Sequence, residues 1–393
     1  MTFQREVEAV VGGALIHMAA KSALRKSKMV EKSVYLPKHN VHMHYLEREA
    51  VTPENNDHRN SGPLQLGACC RRLRTKDTTD NEEISTGDDH DDNMAGFVHS
   101  LEIPDEVRVL APDQIGHGMD LDRVKKTPET YQHPTQLTLL ESTSEWLDVV
   151  GVGSNTNAFG ISMGGGIAYF LRAKRPDIIQ KTVLVSPAIP YCVNHNYMDD
   201  FVKGEKNFMC FENRKDVKIL FRDLSTGEEN NDKRAKKDPV PTFFLEAVYR
   251  LNKNKAPDDH YREMLHGLLD KPEEGQELFD DDGNDVAKWI AAERDVDRES
   301  HRLVIWPDED RIISYENGKH FFGDSVMPSS SKDDTKEEAA KTVGGNTRFV
   351  TITDAGHVFH ADGTTILVID WVLKEIRDYL IDFKADVGTE KSC

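Results

Sequence analysis

The stretch "AFGISMGGGIAYF", Ala158 to Phe170, runs a short apolar segment into a serine flanked by glycines and then into helical spacing. Consecutive glycines, Gly164 to Gly166, stand where that helix begins. Glycine inside a helix costs roughly 1 kcal/mol relative to alanine, so something there needs the space. The spacing Gly160-x-Ser162-x-Gly164 fits a sharp strand-to-helix turn that holds its serine strained and exposed. Glycines flank such a turn because side chains would strike the neighbouring strand or helix. A glycine-rich turn that merely contains a serine is spelled the same way, so the rest of the chain has to decide.

The chain has 393 residues, room for one large α/β domain with insertions or for two modest domains. With 38% hydrophobic and 30% charged residues, it can build a core and must also carry sizeable polar segments. A net charge of −19 argues against a nucleic-acid partner, because phosphate binding needs a basic surface. The 5 cysteines form no disulfide framework: Cys69 and Cys70 are adjacent, Cys393 is terminal, and Cys192 and Cys210 lack metal-ligand spacing. This pattern suits a reducing, cytoplasmic compartment. Near the start, an apolar centre from Val10 to Ala20 is interrupted by His17 and followed by a basic tail. It is too short to span a membrane, and Glu6 and Glu8 spoil the positive start of a signal peptide. An amphipathic helix on the domain or on a membrane surface is the expectation.

Residues 1–31 therefore read as a helical, targeting-like segment. Lys32–Glu49 alternates apolar and polar residues around Lys38-His39-Asn40, a β-hairpin signal. Gly62–Cys70 could be another strand, whereas residues 71–93 are almost all charged or small and should form a solvated loop. Next come a helix at "MAGFVHSL", a strand at Val107–Asp113, a helix within "PTQLTLLESTSEWLDVVG" and a short strand, "TNAF", leading into the serine turn. The buried strand Lys181–Ala188 follows the glycine-rich helix. Residues 32–189 thus alternate strand and helix, which indicates a mostly parallel sheet with helices on both faces. From 190 to 300 no convincing strand appears and the periods are helical, so this reads as a helical insertion. Alternation resumes over 301–386, around a low-complexity loop at 327–346, and 387–393 form a tail.

A serine hydroxyl is a poor nucleophile until a base takes its proton and an acid orients that base. In a strand–turn–helix architecture these partners follow in the order Ser, Asp/Glu, His, on loops after later strands. "LVIWPDEDRII" ends one apolar strand with Asp308, Glu309 and Asp310, and "VTITDAGHVFH" ends the next with Asp354, His357 and His360. Ser162 is assigned as nucleophile, His357 as general base and Asp310 as the orienting acid. No metal or organic cofactor is called for. "DDHDD" (Asp88–Asp92) could imitate a metal site but belongs to the acidic run.

"APDQIGHG", "GISMGGG", "LVIWPDEDRI" and "DAGHVFH" together resemble the α/β-hydrolase superfamily, and within it the monoacylglycerol lipase-like branch. The resemblance covers roughly Val34 to Phe383 apart from the charged insertions. It implies an α/β-hydrolase fold, a mostly parallel sheet flanked by helices, with 190–300 as a helical lid. Asp310, and not Asp308 or Glu309, holds the family's acid position, and His117 becomes a loop-packing residue. A serine at the turn sets the chain apart from dehalogenases and epoxide hydrolases, which use aspartate. The family ends its third strand with a His-Gly pair that begins the oxyanion loop, and no such pair stands at that place in this sequence. Counting back from "NMAGFVHSL", the pair's place falls at Glu82-Glu83, before Ile84. Either Gly62–Cys70 is that strand and a charged insert follows, or the strand is degraded, as an incorrectly joined gene would also produce.

The resemblance implies a serine esterase or lipase acting on a small acyl ester or lipid with an apolar chain. The oxyanion donors would be the amides of Met163 and Ile84, and the acyl chain would meet Phe243, Phe244 and Tyr249. A helical stripe of that kind also serves as packing. Two rivals stand beside this reading: carbon–carbon bond hydrolysis on the same fold, and a non-catalytic ligand binder with a damaged oxyanion region. Peripheral membrane contact through the N-terminal helix is compatible with the first reading.

Overall fold

The alternating segment near the start folds into a hairpin, β1 (Val30–Leu36) and β2 (Val41–Arg48), with Leu36 opposite Val41. The computed structural model describes residues 22, 25–51, 64–66, 99–120, 131, 133–203, 211–224, 242–253, 260–269, 301–323, 341–343, 346–357 and 366–381. The charged stretch 71–93, most of the loop at 327–346 and the tail lie outside them.

β2 pairs antiparallel with β4 (Val109–Pro112). Beyond it the sheet is parallel through β3 (Leu64–Leu66), β5 (Thr156–Ile161), β6 (Ile179–Val185), β7 (His301–Pro307) and β9 (Asn346–Ile352). β8 (Lys341–Val343) closes the edge antiparallel to β9. The spatial order is β1-β2-β4-β3-β5-β6-β7-β9-β8. The third strand is Leu64–Leu66, lodged between β4 and β5 and inside the stretch Gly62–Cys70 offered for it by the sequence. One reading of the sequence is corrected. Lys341–Val343, read as part of a solvated loop, is an edge strand, because β9 offers an open row of backbone groups on that side.

Among the described residues the sheet is covered on both faces, which is why its central strands read as continuous apolar runs. On one face Leu110, Ala158, Leu184, Val304 and Trp306 pack with α1 (Gln136–Val150), α2 (Met163–Lys174) and α7 (Tyr315–Gly323). On the other, Val109, Phe159, Val183, Val185 and Ile305 meet Val372, Ile376 and Leu380 of α8 (Ile366–Ile381). The neighbours Val183, Leu184 and Val185 alternate faces, as a strand requires.

Between β6 and β7 the described residues carry the helices α3 (His195–Val202), α4 (Arg214–Leu224), α5 (Thr242–Lys253) and α6 (His260–Leu269). The insertion carries an apolar cluster of its own, made of Phe211, Val217, Leu220, Leu245 and Val248. Among the described residues no helix is long and apolar enough to cross a membrane.

Candidate active site

Ile161, Val185, Ile305 and Val350 stand side by side across β5, β6, β7 and β9. Because these strands are parallel, the connections carrying Ser162, Asp310 and His357 all leave the same edge of the sheet. In open α/β sheets this carboxyl edge is where ligands bind.

Ser162 follows β5 directly and has φ 54 and ψ −119, a left-handed conformation that a residue with a side chain adopts only when its surroundings enforce it. The enforcement is visible. Its N–H donates to Val185 O at 2.9 Å, and its carbonyl accepts from Gly166 N at 3.0 Å and Ala188 N at 2.7 Å. The glycines supply the room for these bonds. A Cβ on Gly160 would lie 2.1 Å from Gly164 O, one on Gly165 2.9 Å from Pro187 Cα, and one on Gly166 2.5 Å from Ala188 O. The hydroxyl of Ser162 makes no capping bond to α2. Met163 opens that helix, where N–H groups lack intrahelical partners.

Asp310 and His357 are brought together. His357 Nδ1 lies 2.7 Å from Asp310 Oδ2, and both side chains are buried. A carboxylate can only accept, so Nδ1 carries the proton of this bond and Nε2 is the nitrogen left for other partners. The second carboxylate oxygen, Oδ1, accepts from the backbone N–H of Ile312 at 3.0 Å and of Ile313 at 2.9 Å. Main-chain donors leave no signal in a sequence, so this cradle could not be read there.

Asp308 has a different place. Its N–H donates to Ile352 O at 3.0 Å, the next amide, Glu309 N, donates to Ala355 O at 3.0 Å, and its carboxylate faces Ala355 N at 3.5 Å. These contacts join the strand end before Asp310 to the turn before His357. Burial pushes the Asp308 carboxyl above its usual range.

The remaining sequence candidates separate. His117 is buried in the loop after β4, with Nδ1 3.1 Å from Ile115 O, which fits packing. Tyr249 packs against the insertion's own cluster, and its hydroxyl donates to Glu212 O at 2.8 Å. Phe243 and Phe244 lie on α5, with side chains outside the described residues. Ile84 and Asp88–Asp92 are outside them altogether. Leu66, the last described residue of the third strand, stands opposite Phe159 on the strand that leads to Ser162. Among the described residues no group of three His, Cys, Asp or Glu side chains is placed to hold a metal ion.

Residues 88–366 match the family model described as the alpha/beta hydrolase family. Among solved structures, Lip1 from Acinetobacter baumannii AYE is similar with a TM-score of 0.56 at 14% identity, covering 92% of this chain and 96% of that one. A meta-cleavage product hydrolase from Pseudomonas fluorescens IP01 gives 0.52 at 13%, covering 89% and 97%. Carboxylesterase CesB from Bacillus subtilis gives 0.51 at 11%, covering 94% and 99%. At such identities the likeness establishes the fold. No curated protein matches the chain in sequence.

Proposed function

Since the chain belongs to the alpha/beta hydrolase family, we propose that it is a serine hydrolase cleaving carboxylic esters with an apolar acyl chain. The observation that carries this reading is the buried 2.7 Å contact between His357 Nδ1 and Asp310 Oδ2 at the edge where Ser162 is held in its strained turn. Such a pair is the means by which a neutral imidazole is turned so that its free nitrogen meets a hydroxyl.

In this reading Ser162 Oγ attacks the ester carbonyl as His357 Nε2 takes its proton, and Asp310 stabilises the imidazolium. The amide of Met163 donates to the developing oxyanion. Collapse of the tetrahedral intermediate expels the alcohol, which receives the proton from His357. Water, activated by the same imidazole, then releases the acid. The second oxyanion amide belongs to the connection after the third strand, with Ile84 as its candidate donor. The helical insertion acts as the lid, with Phe243 and Phe244 as the acyl-chain contacts. Contact with a lipid surface through the N-terminal segment fits an apolar substrate, and monoacylglycerols are the glyceride class to try first.

Hydrolysis of p-nitrophenyl esters of increasing acyl length by the wild type and Ser162→Ala tests this reading. Turnover that vanishes in the variant supports it. Equal turnover in both places the nucleophile elsewhere. Release from a carbon–carbon-cleavage substrate with no ester turnover transfers the same residues to the rival chemistry.

A further inference from the structure

Asn194 stands immediately before α3, the first described helix of the insertion, and nothing in its type or spacing marks it as part of an active site. Its side-chain amide Nδ2 donates to Arg311 O at 2.9 Å, and its backbone N–H donates to Ile312 O at 2.9 Å. The peptide group that ends in Arg311 O begins, on its other side, in the N–H of Ile312. The peptide group that ends in Ile312 O begins in the N–H of Ile313. Those two N–H groups are the ones that hold Asp310 Oδ1, at 3.0 and 2.9 Å. Asn194 therefore grips, from behind, both peptide groups that aim the acid.

From this geometry we infer that Asn194 is a positioning residue for Asp310, and through it for His357, and that it ties the start of the helical insertion to the acid. The inference rests on the serine hydrolase reading and adds a residue to it.

Three physical points support the assignment. A peptide unit is rigid and planar, so fixing its carbonyl fixes the direction of its N–H. A donor on the carbonyl polarises the unit and strengthens the bond its N–H makes on the far side. The contact is also part of a larger seam. Val193 and Ile313 form an antiparallel bridge, and Ser314 N donates to Cys192 O at 2.8 Å. The side chain of Asn194 serves both ends of the seam, because its Oδ1 also accepts from Tyr197 N at 3.3 Å in the first turn of α3.

That double use gives the test its resolving power. Asn194→Asp keeps an oxygen for Tyr197 N but loses the donor to Arg311 O, whereas Asn194→Ala loses both. A merely structural cap predicts harm from alanine and little from aspartate. A positioning role predicts harm from both.

The experiment measures kcat, KM and the pH profile of ester hydrolysis for wild type, N194D and N194A, with melting temperature alongside. The expected result is a fall in kcat of roughly five- to tenfold in both variants, the scale of one lost hydrogen bond. KM should stay unchanged, the acid limb of kcat/KM should move to lower pH, and N194D should remain folded while melting below wild type, because its carboxylate faces Arg311 O with no proton to give. A folded N194D with wild-type kcat and pH profile overturns the inference.

A second readout does not need turnover. The downfield NMR proton between His357 Nδ1 and Asp310, assigned by its absence in His357→Gln, should shift upfield in N194D. An unchanged proton, or its absence from the wild type, overturns the inference. If the proton shifts while Ser162→Ala leaves hydrolysis intact, the ester-hydrolase reading falls and the positioning role stands.

Discussion

His260 donates through Nε2 to the carbonyl of Gly116 across 3.0 Å, joining α6 of the insertion to the loop after β4. The carbonyl can only accept, so Nε2 carries the proton, and Nδ1 is buried with no hydrogen-bond partner among the described residues. Burial is the main cause that lowers the His260 pKa, to about 4, with His133 and His117 adding to it and Gly116 O and Asp120 opposing. The rings of Tyr131, His133 and Tyr261 pack around it.

A histidine whose folded pKa is depressed contributes stability that is whole above its unfolded value near 6.5. That contribution is lost as pH falls toward about 4. The melting temperature should therefore drop between these limits, by an amount equivalent to at most about 3 kcal/mol. In His260→Gln, which can still donate to Gly116 O, this acid dependence should flatten. An equally steep profile in the variant contradicts the assignment.

The two aspartates after β7 should separate cleanly. Asp310→Asn removes the acceptor that holds the His357 Nδ1 proton and should cost on the order of 10³–10⁴ in kcat. Asp308→Asn keeps an oxygen facing Ala355 N, so turnover should stay within about tenfold. Steady-state kinetics on both variants decides, and the reverse ranking would place the acid at Asp308.

Gly166 should resist enlargement where Gly153 does not. A Cβ on Gly166 would sit 2.5 Å from the Ala188 carbonyl, whereas one on Gly153 meets nothing within 4 Å. Gly166→Ala should destabilise by about 1–3 kcal/mol through overpacking, and Gly153→Ala should stay within about 0.5 kcal/mol. Denaturant midpoints of the two variants test this, and equal midpoints would remove the packing argument for the glycine run.

Much of this was legible because the determinants are local. Gly165 and Gly166 are dictated by Pro187 and the Ala188 backbone pressing on the turn, and Gly160 by the backbone of Gly164. Asp310 and His357 stand at the ends of apolar runs that had to be buried strands. β3 was legible only as one of two alternatives, since a pairing of Leu64–Leu66 with both neighbours is a property of the sheet and not of three residues. Asn194 was invisible for a related reason: its partners are carbonyls of Arg311 and Ile312, far along the chain and identical in every residue type.

The central claim is that Ser162 is an activated nucleophile. Treating the folded wild type with a fluorophosphonate probe and mapping the adduct by mass spectrometry asks this without assuming any substrate. The expected result is one adduct on Ser162, formed rapidly in the wild type, slowly in Asp310→Asn and His357→Gln, and absent in Ser162→Ala. A folded wild type left unlabelled, or a label on another serine that survives Ser162→Ala, would contradict the account.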